Sequence, residues 1–210
     1  MSLLDDITAR GAEVRTQLRE LFEQDEAYPG DLKSMWLVGS VDLALEQHEA
    51  IWRLQKQKLT GAAFALLRPL IETVLRALWL NKRVTTEAQV KRAWRDKDVF
   101  PNPAKMRAEI GESYRHDGTF KRLGRVWSAL CSYTHSGGRQ ISRRFTDHDV
   151  KPSYSDIEVA EALNLATIAL LLLSGTFFNN IGCPWEAEQT LTLLVDYSAD
   201  LKGRLSGDNQ

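Results

Sequence analysis

The sequence predicts an all-α protein, a single-domain helical bundle of about six to eight helices around an up-down four-helix core. Nearly every long segment repeats apolar residues at three- and four-residue spacings, whereas no segment alternates apolar and polar residues as a half-buried strand does. With 210 residues, 43% of them hydrophobic, the chain is long enough for one substantial core and short for two. We therefore expect one domain over residues 1–205 and a disordered polar tail over residues 206–210.

The first two helices are predicted to form a long antiparallel hairpin. The first helix runs from Leu3 to about Ala27 and is closed by the turn residues 28–30, Tyr-Pro-Gly. The second begins after Asp31, a residue type favoured at the N-cap, and continues toward Leu59.

The third and fourth helices carry local signals at their ends and interior. The third spans residues 61–83 and contains Pro69, which has no backbone N–H and therefore predicts a kink or a late start. Thr86 followed by Gln89 is the spacing of a capping box, and it predicts a fourth helix that ends before Pro101.

A short fifth helix is predicted after Asn102, a cap residue followed by Pro103, and extends to about His116. Residues 117–118, Asp-Gly, break the chain before a sixth helix over residues 120–135.

Residues 136–154 contain several glycine, aspartate and proline residues and are predicted to form a long loop, which in a compact domain is often functional. Ser155 and Glu158 then have the spacing of a capping box for a very apolar helix. The last helix begins at Pro184 and runs to about Leu205.

Composition excludes several classes of protein. Cys131 and Cys183 lie far apart and outside any zinc-binding spacing, so we expect neither a disulfide framework nor a metal, and no motif predicts a cofactor. The N-terminus has no basic region leading into an apolar one, so we expect no signal peptide and a cytoplasmic location. Residues 162–178 form the longest apolar run, which we interpret as a core helix and not as a membrane span.

The formal net charge of −1 is distributed unevenly along the chain. Residues 1–50 contain four basic and 11 acidic residues, residues 51–150 contain 20 and nine, and residues 151–210 contain three and eight. The basic middle suits a surface for phosphates, such as those of RNA or a nucleotide. An alternative is that acidic terminal helices pair with basic central helices.

A candidate site lies where the sixth helix meets the long loop. Tyr133 and His135 are close to the helix end, and Gly137, Gly138 and Arg139 follow at once. A histidine at a helix end beside a flexible loop with an arginine is suited to proton transfer or anion binding. The predicted phosphate-binding residues are Arg125, Gly137, Gly138, Gln140, Arg143 and Arg144. The alternative interpretation is a solvated helix face with a histidine favoured by the helix dipole.

Arg68 and Glu72 are a second unusual element, because they lie four residues apart on one face of an otherwise apolar helix. A buried ion pair would explain them structurally. Functionally, Glu72 would orient His135 or accept a hydrogen bond from Arg139. The sequence leaves these two interpretations open.

The residues Arg68-Pro69-x-x-Glu72, Leu78-Trp79-Leu80 and Tyr133-x-His135-x-Gly137-Gly138, with Gln140 and Arg143-Arg144, resemble a bacterial all-helical family of unknown function similar to HEPN domains. That resemblance implies a four-helix bundle, often a homodimer, that acts as a metal-independent RNase of a defence, toxin or abortive-infection system. HEPN domains carry an arginine and a histidine four to six residues apart at the start of a helix. Arg143 and His148 have that spacing here but fall in the predicted loop.

The resemblance therefore implies a catalytic set of His135, Arg139, Arg68, Glu72 and Tyr133. Three functions remain open at this point. The first is the RNase or nucleotide-binding protein. The second is a non-enzymatic helical module that forms a homodimer, and the third is a sensor of a small anion held by the glycine-rich backbone.

Overall fold

The computed structural model describes residues 3–23, 30–95, 97, 99–114 and 117–207. The prediction of an all-α, single-domain bundle is confirmed, and over these ranges the only extended pairing is one isolated bridge between Phe145 and Val150. The helices of the described ranges are α1 (Leu3–Glu23), α2 (Leu32–Lys56), α3 (Thr60–Arg83), α4 (Glu87–Trp94), α5 (Pro103–Tyr114), α6 (Asp117–Thr134), α7 (Gly138–Ser142), α8 (Asp156–Ile181) and α9 (Pro184–Gly207).

Helix α8 is the centre of the bundle. It is apolar around its whole circumference, and α1, α2, α3 and α9 all pack against it. Leu170, Leu173 and Phe178 of α8 have no exposed surface. On the other side of α3 lie α5 and α6. Helix α3 is therefore packed between the core helix and the pair α5–α6, and it becomes the scaffold of the candidate site.

Of the described helices, α8 alone is long and apolar enough to cross a membrane, and 67% of its most apolar window is buried inside the protein. Burial of this kind is typical of the core helix of a soluble protein. The interpretation of residues 162–178 as a core helix fits this arrangement, and the cytoplasmic location stays a prediction.

The predicted helix starts are confirmed where the capping signal is local. Asp31 accepts hydrogen bonds from the backbone N–H groups of Lys33 and Ser34 at 2.9 and 3.0 Å. The capping boxes at Thr86 and Ser155 are both present. Each depends on residues within three positions of one another, so the sequence is sufficient to find it.

The structure differs from the sequence-based boundaries in the helix count. Residues 136–154 are not a continuous loop, because residues 138–142 form the short helix α7, one helix more than predicted. The fourth helix ends at Trp94, before Pro101 as predicted. The last helix continues to Gly207, so residues 206 and 207 are helical. The predicted ends near Ala27 and His116, and residues 208–210 of the predicted tail, lie outside the described residues.

Helix α3 rules out one of the two expectations for Pro69. The helix does not start late at this residue, but runs through it from Thr60 to Arg83. A proline inside a helix removes one backbone hydrogen bond, so the carbonyl four residues earlier needs another donor. That carbonyl belongs to Ala65, and its replacement donor connects the fold to the candidate site.

Candidate functional site

The Ala65 carbonyl anchors the end of α6 on α3. Because Pro69 has no N–H, it cannot make the usual helical bond to this oxygen. The hydroxyl of Thr134 lies 3.2 Å from the Ala65 oxygen and 3.0 Å from the Leu130 oxygen of its own helix. Its single proton is shared between the two oxygens, and in this way it supplies a donor to the Ala65 carbonyl. The next residue after Thr134 is His135, so this contact places His135 beside the turn of α3 that carries Arg68.

We expect Thr134→Val to lower the free energy of unfolding by about 1 kcal/mol, because valine keeps the shape of threonine but leaves the Ala65 carbonyl without a donor. Thr134→Ser, which retains the hydroxyl, is the matched control and should lose less. Urea unfolding of the three proteins measures the difference. Equal stability of the valine variant and the wild type would show that the hydroxyl does not anchor α6.

Glu72, Arg68 and His135 form a continuous hydrogen-bonded row, which we call the Glu72–Arg68–His135 row. The Nε of Arg68 donates to Oε1 of Glu72 at 2.8 Å, and Nη1 of Arg68 lies 2.5 Å from Nε2 of His135. The side chains of Arg68 and Glu72 are 21% and 25% exposed, and His135 is exposed. The pair is therefore largely but not fully buried, and the histidine next to it is exposed.

The donors of Arg68 set the direction of its contact with His135. A guanidinium has N–H donors and no acceptor, so Nε2 of His135 has to accept the hydrogen bond. The imidazole is then neutral, with its proton on Nδ1. A neutral imidazole keeps a lone pair that can take a proton. In this structure Arg68 occupies that lone pair, and Glu72 holds Arg68 in place.

The indole ring of Trp127 lies beside the Glu72–Arg68–His135 row. The guanidinium carbon of Arg68 lies 5.7 Å from the centre of the Trp127 ring, and that of Arg107 lies 4.7 Å from it. Both distances are within the range of a cation–π contact. The ring of Trp127 thus contacts two arginines from two different helices.

The glycine-rich turn after α6 has a defined geometry. Ser136 adopts a left-handed conformation with φ of 52°, and the Gly137 N–H donates to the Ser132 carbonyl at 2.7 Å. This bond across six residues is the Schellman type of helix ending. A Cβ at Gly137 would lie 2.6 Å from the Ser132 hydroxyl oxygen, so only glycine fits. The same hydroxyl accepts the backbone N–H of Arg139 at 3.1 Å.

Gln140 attaches α7 to the start of α3. Its amide nitrogen donates to the Gly61 carbonyl at 2.9 Å, and its amide oxygen accepts from the Tyr154 hydroxyl at 2.9 Å. A Cβ at Gly61 would lie 2.7 Å from a guanidinium nitrogen of Arg144. Burial raises the pKa of the Tyr154 hydroxyl, so this phenol keeps its proton at neutral pH and donates the hydrogen bond to Gln140. Gln140, predicted to bind phosphate, therefore has a structural partner at each end of its amide.

Arg143 is also held by neighbours within the fold. It donates to Glu158 Oε1, while Oε2 of the same carboxylate caps α8 through Ser155. Burial opposes the charge of Arg143, but the hydrogen bond with the Tyr133 hydroxyl and the Glu158 charge outweigh it and raise the pKa of the guanidinium. Tyr133 also packs edge-to-face on Phe64 at 5.0 Å. Tyr133 and Arg143 therefore join the loop to the bundle.

Arg143 and His148 do not form a HEPN-type pair at a helix start. Arg143 follows the end of α7, and His148 is exposed in the turn of residues 146–149, which is closed by hydrogen bonds between Thr146 and Asp149. Of the charged residues predicted for the site, Arg125, Arg139 and Arg144 are exposed. Glu72 binds Arg68, not Arg139, which corrects one of the two alternatives proposed for it.

Two grooves elsewhere in the molecule have no part in the row. One of about 650 Å³ lies between α1 and α2, and one of about 440 Å³ lies between the start of α2 and residues 84–90. Neither is lined by a residue of the Glu72–Arg68–His135 row. Among the residues that the structure describes, no group of three or more His, Cys, Asp or Glu side chains is arranged to hold a metal ion.

Sequence reasoning missed three residues of this region. Thr134 had a signal in Pro69, which predicts a free carbonyl, but the partner lies 69 positions away and no local pattern identifies it. Arg107 lies on α5 with no distinguishing motif. Trp127 belongs to the apolar stripe of α6, and only the tertiary structure shows that its ring carries two guanidinium groups.

The chain matches a known protein family. The model of a family of unknown function, DUF6988, matches residues 41–177, a range that includes every residue of the row and of the turn after α6. No curated protein and no solved structure matches the chain.

Proposed function

The chain belongs to the DUF6988 family, and since the function of that family is unknown, we propose one from the site: a protein that binds RNA or a nucleotide at the Glu72–Arg68–His135 row and cleaves RNA without a metal ion. The observation that carries this proposal is the exposed imidazole of His135, whose Nε2 lies against an arginine that a carboxylate anchors. Such a row combines an anion-binding group and a proton carrier within hydrogen-bonding distance of each other.

The proposed first step is binding of a phosphodiester at Arg68. A guanidinium binds a charged phosphate more strongly than a neutral imidazole, and it can do so through two parallel hydrogen bonds. Arg68 would therefore exchange its bond to Nε2 of His135 for bonds to phosphate oxygens, while Glu72 keeps its hold on Nε. Binding of the substrate thus releases the lone pair of His135 beside the phosphate.

The freed Nε2 then acts as general base. It takes the proton of the ribose 2′-hydroxyl, the 2′-oxygen forms a bond to phosphorus, and the bond from phosphorus to the 5′-oxygen breaks. The imidazolium returns the proton to the departing 5′-oxygen. Arg68 stabilises the negative charge that develops on the phosphate oxygens. The products are a 2′,3′-cyclic phosphate and a 5′-hydroxyl, and no proton is gained or lost overall.

The resemblance to HEPN domains supports the same chemistry and extends the proposal. A metal-independent RNase of this kind would belong to a bacterial defence or toxin system, would act in the cytoplasm and would form a homodimer. The basic middle of the chain, which holds 20 of the 27 lysine and arginine residues within residues 51–150, supports a polyanionic substrate. In this proposal the arginine and histidine that act are Arg68 and His135, brought together from two helices.

The test is cleavage of an end-labelled RNA of mixed sequence in EDTA by the purified protein. The same sequence made of DNA is the substrate control, and Arg143→Ala/His148→Ala is the protein control. We expect the RNA alone to be cut, with 2′,3′-cyclic phosphate ends, and the double variant to retain activity. Loss of activity in a double variant that unfolds in urea as the wild type does would move the site to the HEPN-type spacing. Absence of cleavage by the wild type would favour the homodimerisation module or the anion sensor.

A further inference from the structure

The guanidinium of Arg107, on α5, lies next to the Glu72–Arg68–His135 row. The fold does not neutralise the charge of this guanidinium. Its Nη1 is buried and makes no hydrogen bond, and it forms no ion pair in the part of the chain that the structure describes. Burial lowers the pKa of its guanidinium, and the one group that opposes this effect is the thiol of Cys131. A partly buried arginine without an acceptor is costly, because an unsatisfied buried N–H group destabilises the fold.

The position of Arg107 is nevertheless well defined. Its guanidinium lies over the Trp127 ring and beside Gly124, where a Cβ would be in ordinary van der Waals contact with the Arg107 Nε at 3.8 Å. Trp127 contacts Arg68 as well. The Trp127 ring therefore contacts two guanidinium groups. Glu72 neutralises the charge of Arg68, whereas the charge of Arg107 is not neutralised.

Two guanidinium groups on one aromatic ring repel each other and gain stability from an anion between or beside them. We propose that Arg107 is a second phosphate-binding residue of this site, so that the ligand is one with two neighbouring phosphate groups, the first at Arg68 and His135 and the second at Arg107. This inference rests on the location of the proposed function and narrows its substrate class. A single nucleoside monophosphate would leave Arg107 without its partner, whereas an RNA chain or a pyrophosphate group would satisfy both arginines.

The first measurement is a titration of the wild-type protein with inorganic pyrophosphate and, separately, with inorganic orthophosphate, followed by the NMR signals of the arginine Nε–H groups. Arg68→Gln and Arg107→Gln assign the two signals. We expect pyrophosphate to move both signals and to bind at least about tenfold more tightly than orthophosphate, a preference that Arg107→Gln should abolish. Lys105→Ala is the matched control, because Lys105 lies on the same helix and forms an exposed ion pair with Glu109.

The second measurement separates the two sources of paired phosphates. An uncleavable 2′-O-methyl RNA oligonucleotide is bound at several salt concentrations, and Arg107→Gln should reduce the slope of log K against log salt by about 0.7 while Lys105→Ala leaves it unchanged. A change with pyrophosphate but none with the oligonucleotide would identify a nucleotide ligand. Since neither assay needs cleavage, an inactive protein that still shows the Arg107 response would contradict the proposed RNase and support this inference.

The inference is wrong if pyrophosphate moves the signal of Arg68 but not that of Arg107, or if neither anion moves either signal. It is equally wrong if Arg107→Gln retains the preference for pyrophosphate. Arg107→Lys guards against a merely structural explanation, because lysine keeps the charge over Trp127 but not the two parallel hydrogen bonds. It should restore part of the pyrophosphate preference, whereas a structural loss would be the same in both variants.

Discussion

His135→Ala is expected to lower the rate of RNA cleavage by at least about 100-fold, because general acid–base catalysis by a positioned side chain contributes that much or more. His135 is the exposed end of the row, so its removal leaves the bond between Arg68 and Glu72 in place. The free energy of unfolding should therefore change by no more than about 0.5 kcal/mol. Single-turnover cleavage of a labelled RNA, with urea unfolding of the same preparation, measures both quantities.

His135→Gln separates proton transfer from positioning. Glutamine offers an oxygen that can accept the hydrogen bond from Arg68, but it cannot carry a proton at neutral pH. We expect this variant to bind an uncleavable RNA as the wild type does and to be as inactive as the alanine variant. His148→Ala is the control, since His148 is exposed in a turn outside the row. If the glutamine variant keeps more than about a tenth of wild-type activity, His135 is not the proton carrier.

The elements that the sequence predicts well are those whose cause is local. The capping boxes of Thr86 with Gln89 and of Ser155 with Glu158 span three residues each, and both are present as expected. Spacing of four residues also places Arg68 and Glu72 on one face of α3, and the structure joins them. In each case the geometry of a single helix turn is enough to make the contact.

The remainder of the site depends on contacts between distant segments. Pro69 predicts a kink or a late start of α3, whereas the helix runs through this residue and the freed Ala65 carbonyl lies 3.2 Å from the hydroxyl of Thr134 on another helix. The bond between Arg68 and His135 is a consequence of that docking. Arg107 reaches Trp127 from a third helix. No local sequence pattern could predict these contacts, since each depends on how α3, α5 and α6 pack against one another.

His48 shows the same limit within the core. Its position on α2 carries no special pattern, yet it is completely buried. The Trp52 indole donates to Nε2 of His48 at 3.0 Å, so the proton of the neutral ring is on Nδ1, which is buried without a partner. Burial lowers the pKa of His48 to about 3, with the nearby charge of Arg15 acting in the same direction.

The depressed pKa of His48 makes the fold sensitive to mild acid. In the unfolded chain this histidine binds a proton near pH 6.5, whereas in the folded protein it stays neutral down to about pH 3. The unfolded state therefore binds a proton that the folded state does not bind. The free energy of unfolding falls as the pH drops through this window. We expect the free energy of unfolding to decrease by about 2 kcal/mol between pH 7 and pH 5. Urea unfolding at a series of pH values measures the decrease.

His48→Gln assigns that decrease to one residue. Glutamine keeps an acceptor for the Trp52 indole but does not titrate, so its stability between pH 7 and pH 5 should be nearly constant, whatever its absolute value. Asp31 and Glu49 do not interfere in this window. Hydrogen bonds from Ser34 and from Arg53, respectively, lower the pKa of their carboxyl groups, and the stability that they contribute is lost only at more acidic pH. If the glutamine variant loses as much stability as the wild type on acidification, another group is responsible and His48 is protonated without cost in the folded core.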